Sequence, residues 1–417
     1  MKKHSDQYLM DEIEWCGRHE IDLIYGADAN TGALRRDVQL AEFMVKTKER
    51  YGFPRKFRAA YAKNSVERVF EMNKILAAGG MSKGATLSFQ SMDENTLDII
   101  KRKNIGTERY TQLMKKYNQE GIPTYSEIII GLPGETYDTF VSGLDTLLNA
   151  GAHASLSVYT CECLPNSEMS QPAYRQEHGI VGVNSPIPFY HASPDNEDGQ
   201  TEHYELVVET KMLSRADWLS CQLFSWAIQA FHCLGATQAC AIHLRYRDGV
   251  SYRQYYEGLL RFARRHPDTL LGTLHADAVE YFTDMQEGRA LRLLASSQFG
   301  NVSWPPEEWA YLLTAEGRWQ FYGELPEYLT TPASLNYQMA VTSAPLEGTL
   351  IRKLPIGFVE SLEKMKLGDE YQDSSTNEWV EHEFVPVVHY PSIEVMAKEA
   401  IWFGRKSNTK RVEVKRK

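Results

Sequence analysis

At 417 residues the chain is long enough to bury a large core, and its length suggests two or three domains. Hydrophobic residues make up 43% and charged residues 24%, an ordinary globular balance, and a net charge of −10 argues against a general nucleic-acid binder or a basic membrane-surface protein. No apolar run approaches the roughly 18 residues needed to span a bilayer, and six scattered cysteines without framework spacing suit a reducing cytoplasm.

The first residues, Met1-Lys-Lys-His-Ser-Asp6, run straight into an amphipathic, acidic helix pattern and do not read as a signal peptide. Residues 6–20 are expected to be helical, with Leu9, Ile13 and Cys16 inward, and 21–30 to form a strand. A helix over 37–51 places Leu40, Phe43, Met44 and Thr47 on one face, and a strand follows at 56–63. Ser65 is placed to cap a helix running to Leu76, which Gly79 and Gly80 close. A strand at 86–90, a helix from Asp93 and a helix over 107–119 continue the alternation.

The most informative stretch is Ser126-Glu-Ile-Ile-Ile-Gly-Leu-Pro-Gly-Glu-Thr136. Its apolar run is too short for a helix and breaks into Gly-Leu-Pro-Gly. Thr136 then caps a helix that carries Phe140, Leu144, Leu147 and Leu148 along one side and ends near Ala150. The loop lacks the G-x-G-x-x-G spacing and the Gly-Lys-Ser/Thr ending of a phosphate cradle. It is either an ordinary strand-to-helix turn or a bare backbone against which something flat can lie. A last strand spans 155–163.

Repeated strand–helix units predict a parallel sheet, closed or partly closed into a barrel, with any chemistry at the C-terminal strand ends. The period of two supports this. Thr86, Ser88 and Gln90 share one face of their strand, while Leu87 and Phe89 share the other. Gly26, Asp28 and Asn30 share a face in the first strand, as do Ser155, Ser157, Tyr159, Cys161 and Cys163 in the last. An interior of Asp, Asn, Ser, Gln and Tyr would bind a polar ligand.

Past Pro165 the alternation stops. Residues 184–200 read as a loop, 205–213 as a strand, and 214–234 as a helix rich in aromatics such as Trp218, Phe224, Trp226 and Phe231. Another helix spans 252–264, and 303–330 hold Trp304, Trp309, Tyr311, Trp319, Phe321 and Tyr322, a density typical of core. Residues 368–378 read as a loop, 381–390 as a strand, and the basic tail 405–417 as a solvated end.

Several of these pieces together resemble the radical S-adenosylmethionine (radical SAM) superfamily, and within it the cobalamin-binding branch. They are Tyr25-Gly-Ala-Asp-Ala-Asn30 with Arg36-Asp37, Ala62-Lys-Asn64, Leu87-Ser-Phe-Gln-Ser91 and Ile99-Ile-Lys-Arg-Lys-Asn-Ile105, then Ile129-Ile-Gly-Leu-Pro-Gly-Glu-Thr136 and Leu164-Pro-Asn-Ser167. Their order and spacing over residues 6–167 carry the resemblance, and the aromatic helical region from about 200 to 265 is similar to the C-terminal part of such proteins.

The resemblance implies an α/β fold: an incomplete (β/α)6, TIM-like partial barrel over residues 1–167, followed by a mainly helical α+β substrate or accessory region over 168–417. It implies S-adenosylmethionine (AdoMet), a [4Fe-4S] cluster and cobalamin as cofactors, and methyl transfer to a peptide or other natural product. It sets Gly131, Gly134 and Glu135 near the adenine, Ser88 and Gln90 along the ribose or methionine, Asp28 and Asn30 at the methionine ammonium, and Arg102 at its carboxylate. Each has a plainer reading: Ser88 and Gln90 as satisfied core polars, Asp28 and Asn30 as turn caps, Arg102 as a surface residue.

No Cys-x3-Cys-x2-Cys occurs in the sequence, and Cys161 and Cys163 form the only close pair. Two thiols without a third do not make a cluster site. The chain is therefore expected to lack the first barrel strand, the cluster loop and the cobalamin domain, either cut from a longer product or naturally short, and to be inactive by itself. The alternatives are a non-catalytic barrel that binds a ligand or partner, and an unrelated TIM-like enzyme. Catalytic residues and oligomeric state stay unassigned.

Overall fold

The computed structural model describes residues 3–324, apart from 63–65, 83, 121, 123, 154, 194–200 and 301, together with residues 382–384 and 414–416. The cap at Ser65, the loop at 368–378 and most of the 381–390 strand and the basic tail lie outside the described residues.

Helix α1 (Asp6–Arg18) starts at Ser5, whose side chain accepts from the Tyr8 N–H (3.2 Å). Then β1 (Leu23–Thr31), α2 (Arg36–Tyr51), β2 (Lys56–Tyr61), α3 (Val66–Ala78) and β3 (Ala85–Gln90) alternate. They are followed by α4 (Glu94–Ile99), α5 (Thr107–Gln119), β4 (Thr124–Ile130), α6 (Tyr137–Asn149) and β5 (Leu156–Thr160). Strands β2 and β5 end two and three residues earlier than the sequence suggests, whereas β3 begins one residue earlier than expected.

All five strands pair in parallel, β1 with β2 and β3 with β4 and β5. Ile24 lies opposite Phe57, Ser88 opposite Glu127, and Glu127 opposite Ser157. The two sheets meet at a parallel bridge between Phe57 and Ser82 and at the bond from Phe57 N to Met81 O (2.9 Å). Helices cover the outer face: Phe57 and Ala59 pack with Ala41, Met44, Met72 and Leu76, and Phe89 meets Tyr110 edge to face at 4.7 Å. Alternation then turns Arg58, Thr86, Ser88, Tyr125, Glu127, Ser157 and Tyr159 to the opposite, inner face. The fold is mixed α/β with parallel sheets.

Helix α7 (Pro172–His178) leads into an antiparallel hairpin, β6 (Val181–Pro186) and β7 (His203–Glu209). The first arm enters the stretch that reads as a loop in the sequence. Strand β7 also runs against residues 161–163, through Val207 N to Cys161 O (2.9 Å) and Cys163 N to Glu205 O (2.8 Å), so the hairpin extends the parallel sheet.

The long aromatic helix is α8 (Arg215–Ala227), continued by one stretch of π-helix (Ile228–Cys233). Helices α9 (Gln238–Asp248), α10 (Tyr252–Arg265), α11 (Leu270–Glu287), α12 (Pro306–Glu316) and α13 (Arg318–Glu324) complete this half. Trp218, Phe224, Trp226, Phe231, Trp304, Tyr311 and Phe321 are buried in one large core that reaches Phe89, Ile128 and Leu156 in the sheet. The aromatic density is therefore core. Two further short strands, β8 (His382–Phe384) and β9 (Val414–Arg416), pair antiparallel. Among the described residues no helix is long and apolar enough to cross a membrane.

Candidate functional site

The inner face of the sheets carries a connected polar row. Ser88 Oγ donates to Glu127 Oε2, Tyr159 OH donates to Glu127 Oε1 (3.4 Å), and Thr86 Oγ1 donates to the Tyr125 hydroxyl. Arg58 lies over the rings of Tyr25 (5.7 Å) and Tyr125 (5.5 Å). Burial and the neighbouring Glu127 raise the Tyr159 hydroxyl above its ordinary range, so it stays a neutral donor.

Beyond this row opens a cavity of about 500 Å³, the size of a small-molecule site. The sheet contributes Tyr25, Arg58, Ser157 and Tyr159, and the opposite wall comes from α8, the π-helix, α11 and α12. Gln222 on α8 donates to Thr160 Oγ1 (2.9 Å), which fixes the two walls together. Glu308, 1% exposed, is held by His191 Nε2 at 2.6 Å.

None of the sequence-nominated residues lines this cavity. Ser88 is joined to it through Glu127 and Tyr159. Gln90 sits at a bulge in β3 with a left-handed backbone (φ 67°), a conformation that a non-glycine residue holds at some cost. Asp28 caps its own turn: its Oδ1 accepts from the Asn30 N–H (2.8 Å), in a part of β1 where the register slips, and both residues are exposed. Arg102 is exposed beyond α4.

The loop after β4 is built by its glycines. Gly131 (φ 92°) has Val207 O only 3.0 Å from where a Cβ would stand, and Gly134 (φ 93°) has Ile99 Cδ1 at 2.5 Å. At both positions the bare backbone serves close approach of the chain to itself. Glu135 is buried. Ser91 Oγ donates to its Oε1 (2.6 Å), and its Oε2 has no partner among the described residues. Burial pushes its carboxyl up to about 8, so the group is neutral at pH 7 and ties the loops after β3 and β4. Thr136 caps α6 as expected, in a capping box with Thr139.

Three features escaped sequence reasoning. Arg58 reads as a surface charge unless the buried neighbours Phe57 and Ala59 fix the phase of β2. The cavity wall from α11 and α12 carries no motif. His153 Nδ1 and His232 Nε2 bond at 2.9 Å and His232 Nδ1 reaches Tyr256 OH at 2.9 Å, a buried chain assembled from distant positions. Burial lowers His153 to about 4.

The donor set does not fit an iron–sulfur cluster. Cys161 is buried, its sulfur 3.6 Å from Met169 Sδ, and burial raises its thiol to about 12. Burial also raises the Cys163 thiol, which lies beside Arg175 and Glu205. Among the described residues no three His, Cys, Asp or Glu side chains are grouped to hold a metal ion. The inner-face hydroxyls, amide and carboxylate do fit a polar ligand of the AdoMet type in kind.

No family model matches the chain. It is 36% identical over 343 residues to the cobalamin-dependent radical SAM methyltransferase TokK of Streptomyces tokunonensis, covering 79% of this chain and 50% of that protein. It is 33% identical over 333 residues to the 2-(S-pantetheinyl)-carbapenam-3-carboxylate methyltransferase of Streptantibioticus cattleyicolor, covering 77% and 49%. Two structures of the radical SAM methyltransferase TsrM from Kitasatospora setae are more distant. The one with cobalamin and a [4Fe-4S] cluster is 18% identical with a TM-score of 0.28, over 38% of this chain and 29% of that one. The one with tryptophan and a SAM analogue is 16% identical with a TM-score of 0.34, over 52% and 45%. The chain therefore belongs to the cobalamin-dependent branch of the radical SAM superfamily, and it spans about half the length of the curated relatives it matches.

Proposed function

We propose that this chain supplies the AdoMet-binding side and the substrate cavity of a cobalamin-dependent radical SAM methyltransferase acting on a peptide or other natural product. The observation that carries the reading is the 36% identity to a methyltransferase over 79% of the chain, a span too long to fit within residues 1–167 or 168–417 alone. In this reading residues 1–167 are the larger part of a (β/α)6 partial barrel, and 168–417 form the substrate or accessory region.

AdoMet, when bound at a reduced cluster, supplies the methyl group and the radical that such chemistry uses. This chain's residues bind and orient. Ser88 and Gln90 face the ribose or methionine portion at the end of β3. Gly131, Gly134 and Glu135 border the adenine, with Glu135 holding the loop in place as a neutral carboxyl. Asp28 and Asn30 accept from the methionine ammonium, and Arg102 meets its carboxylate. The aromatic cavity shelters the acceptor molecule from water. No Cys-x3-Cys-x2-Cys is in this sequence, so the 417-residue chain alone is expected to bind AdoMet without turning it over. The same missing cysteines favour a second reading, a ligand-binding barrel without catalysis.

Titration calorimetry of AdoMet into the full chain, beside Ser88→Ala and Glu135→Ala, tests the site. Both substitutions are expected to weaken binding by about tenfold, the loss of roughly one hydrogen bond to a buried polar partner. Binding that neither change weakens would overturn the site assignment. An AdoMet-blind chain would leave only the second reading.

A further inference from the structure

We propose that Arg58 is the anion-reading group of the cavity, and that the small molecule it admits carries a carboxylate. This rests on the cavity being the acceptor site of the function proposed above.

Four observations carry it. Arg58 lines the cavity from the middle of β2. Its guanidinium carbon lies over two aromatic rings, 5.7 Å from the centroid of Tyr25 and 5.5 Å from that of Tyr125. Its Nε is buried and has no hydrogen-bond partner among the described residues. The carboxylate on the same face, Glu127, is already engaged by Ser88 and Tyr159. A partly desolvated guanidinium without a carboxylate partner is costly in a folded chain, and a planar fork braced by rings suits bidentate capture of a carboxylate.

The other wall differs in sign. Glu162 and Glu307 face the cavity and Glu308 is paired with His191. An acceptor would therefore lie with its carboxylate toward the sheet, its body along Tyr159, Tyr190 and Tyr204, and any hydrogen-bond donor toward α12. AdoMet also carries a carboxylate, so the test separates the two sources.

Calorimetry with the full chain would use three acids: 2-(S-pantetheinyl)-carbapenam-3-carboxylate, indole-3-acetate and phenylacetate, each beside its methyl ester. AdoMet and 5′-methylthioadenosine, which lacks the carboxylate, form the second arm. At least one acid is expected to bind about tenfold more tightly than its ester, a difference of about 1.4 kcal/mol. Arg58→Gln should reduce that preference to within about twofold, while Arg58→Lys retains part of it. The AdoMet-to-methylthioadenosine ratio should not change. The proposal fails if no acid binds, if esters bind as well as acids, or if Arg58→Gln keeps the preference. It also fails if Arg58→Gln weakens AdoMet but not methylthioadenosine, because Arg58 would then serve the cofactor. Thermal melts of both variants exclude unfolding as the cause, and Arg58→Lys keeps the test alive if Arg58→Gln does not fold. Failure of AdoMet to bind any form would instead count against the function on which this inference rests.

Discussion

The two halves of the sheet region are held in different ways. Strands β3, β4 and β5 share one continuous core with α6, α8, α10, α11 and α12, running from Phe89 to Phe321. Strands β1 and β2 rest on a separate small cluster of Ala41, Met44, Phe57, Ala59, Met72, Leu76 and Met81, joined to the rest near Phe57 and Ser82. Few buried apolar contacts mean a lower local opening free energy. Within the sheet wall of the cavity, Arg58 and Tyr25 are thus on the more easily opened part and Tyr159 on the firmer part, which joins the helical wall of Gln222 and Glu308. A ligand that bridges the two parts would stabilise the weaker one by mass action.

The largest expected effect is on the firm side. Trp226→Ala removes a fully buried ring and its Nε1 bond to Pro306 O (3.2 Å). It should cost about 3–5 kcal/mol, lowering the denaturant midpoint of the global transition seen by circular dichroism. On the weaker side, Met44→Ala should cost about 2–4 kcal/mol but act locally. Hydrogen exchange should quicken in residues 23–61 and leave 128–160 near the native rate. Equal quickening in both would erase the distinction between the halves.

Two buried titratable groups sharpen it further. Glu135 is raised to about 8 by burial, above its value in an unfolded chain. The folded form then keeps a proton that the unfolded form loses, so stability falls as pH rises from about 4.5 to about 8. The decline runs at up to about 1.4 kcal/mol per pH unit. Glu135→Gln should flatten it in urea melts run across the window. His153, lowered to about 4 by burial, acts in the opposite sense. Its contribution is complete above about 6.5 and is lost as pH falls toward 4. His153→Asn should shrink that acid loss by a smaller amount, and an unchanged slope would mean the imidazole is solvated.

The alternation of strands and helices was legible because the period changes cleanly between two and 3.6. Phe140, Leu144, Leu147 and Leu148 mark the buried side of α6, as their spacing requires. The hairpin was half hidden: Gly182, Asn184 and Pro186 belong to turn chemistry, yet β7 gives them an antiparallel partner. The π-helix and the His153–His232–Tyr256 chain depend on tertiary packing that no local pattern encodes. Around the loop after β4 the sequence motif was readable, but the use of Gly131 and Gly134 against Val207 and Ile99 needed coordinates. Arg58 was missed because a lone Arg in Lys56-Phe-Arg-Ala resembles a surface charge. Only the burial of Phe57 and Ala59 sets its phase.

In the proposed function the C-terminal ends of β3 and β4 receive AdoMet. Hydrogen exchange of the full chain with and without saturating AdoMet tests it most directly. The account predicts slower exchange in residues 86–91 and 129–136, with 252–287 unchanged. Protection confined to the helical half, or no protection anywhere at saturation, would contradict it.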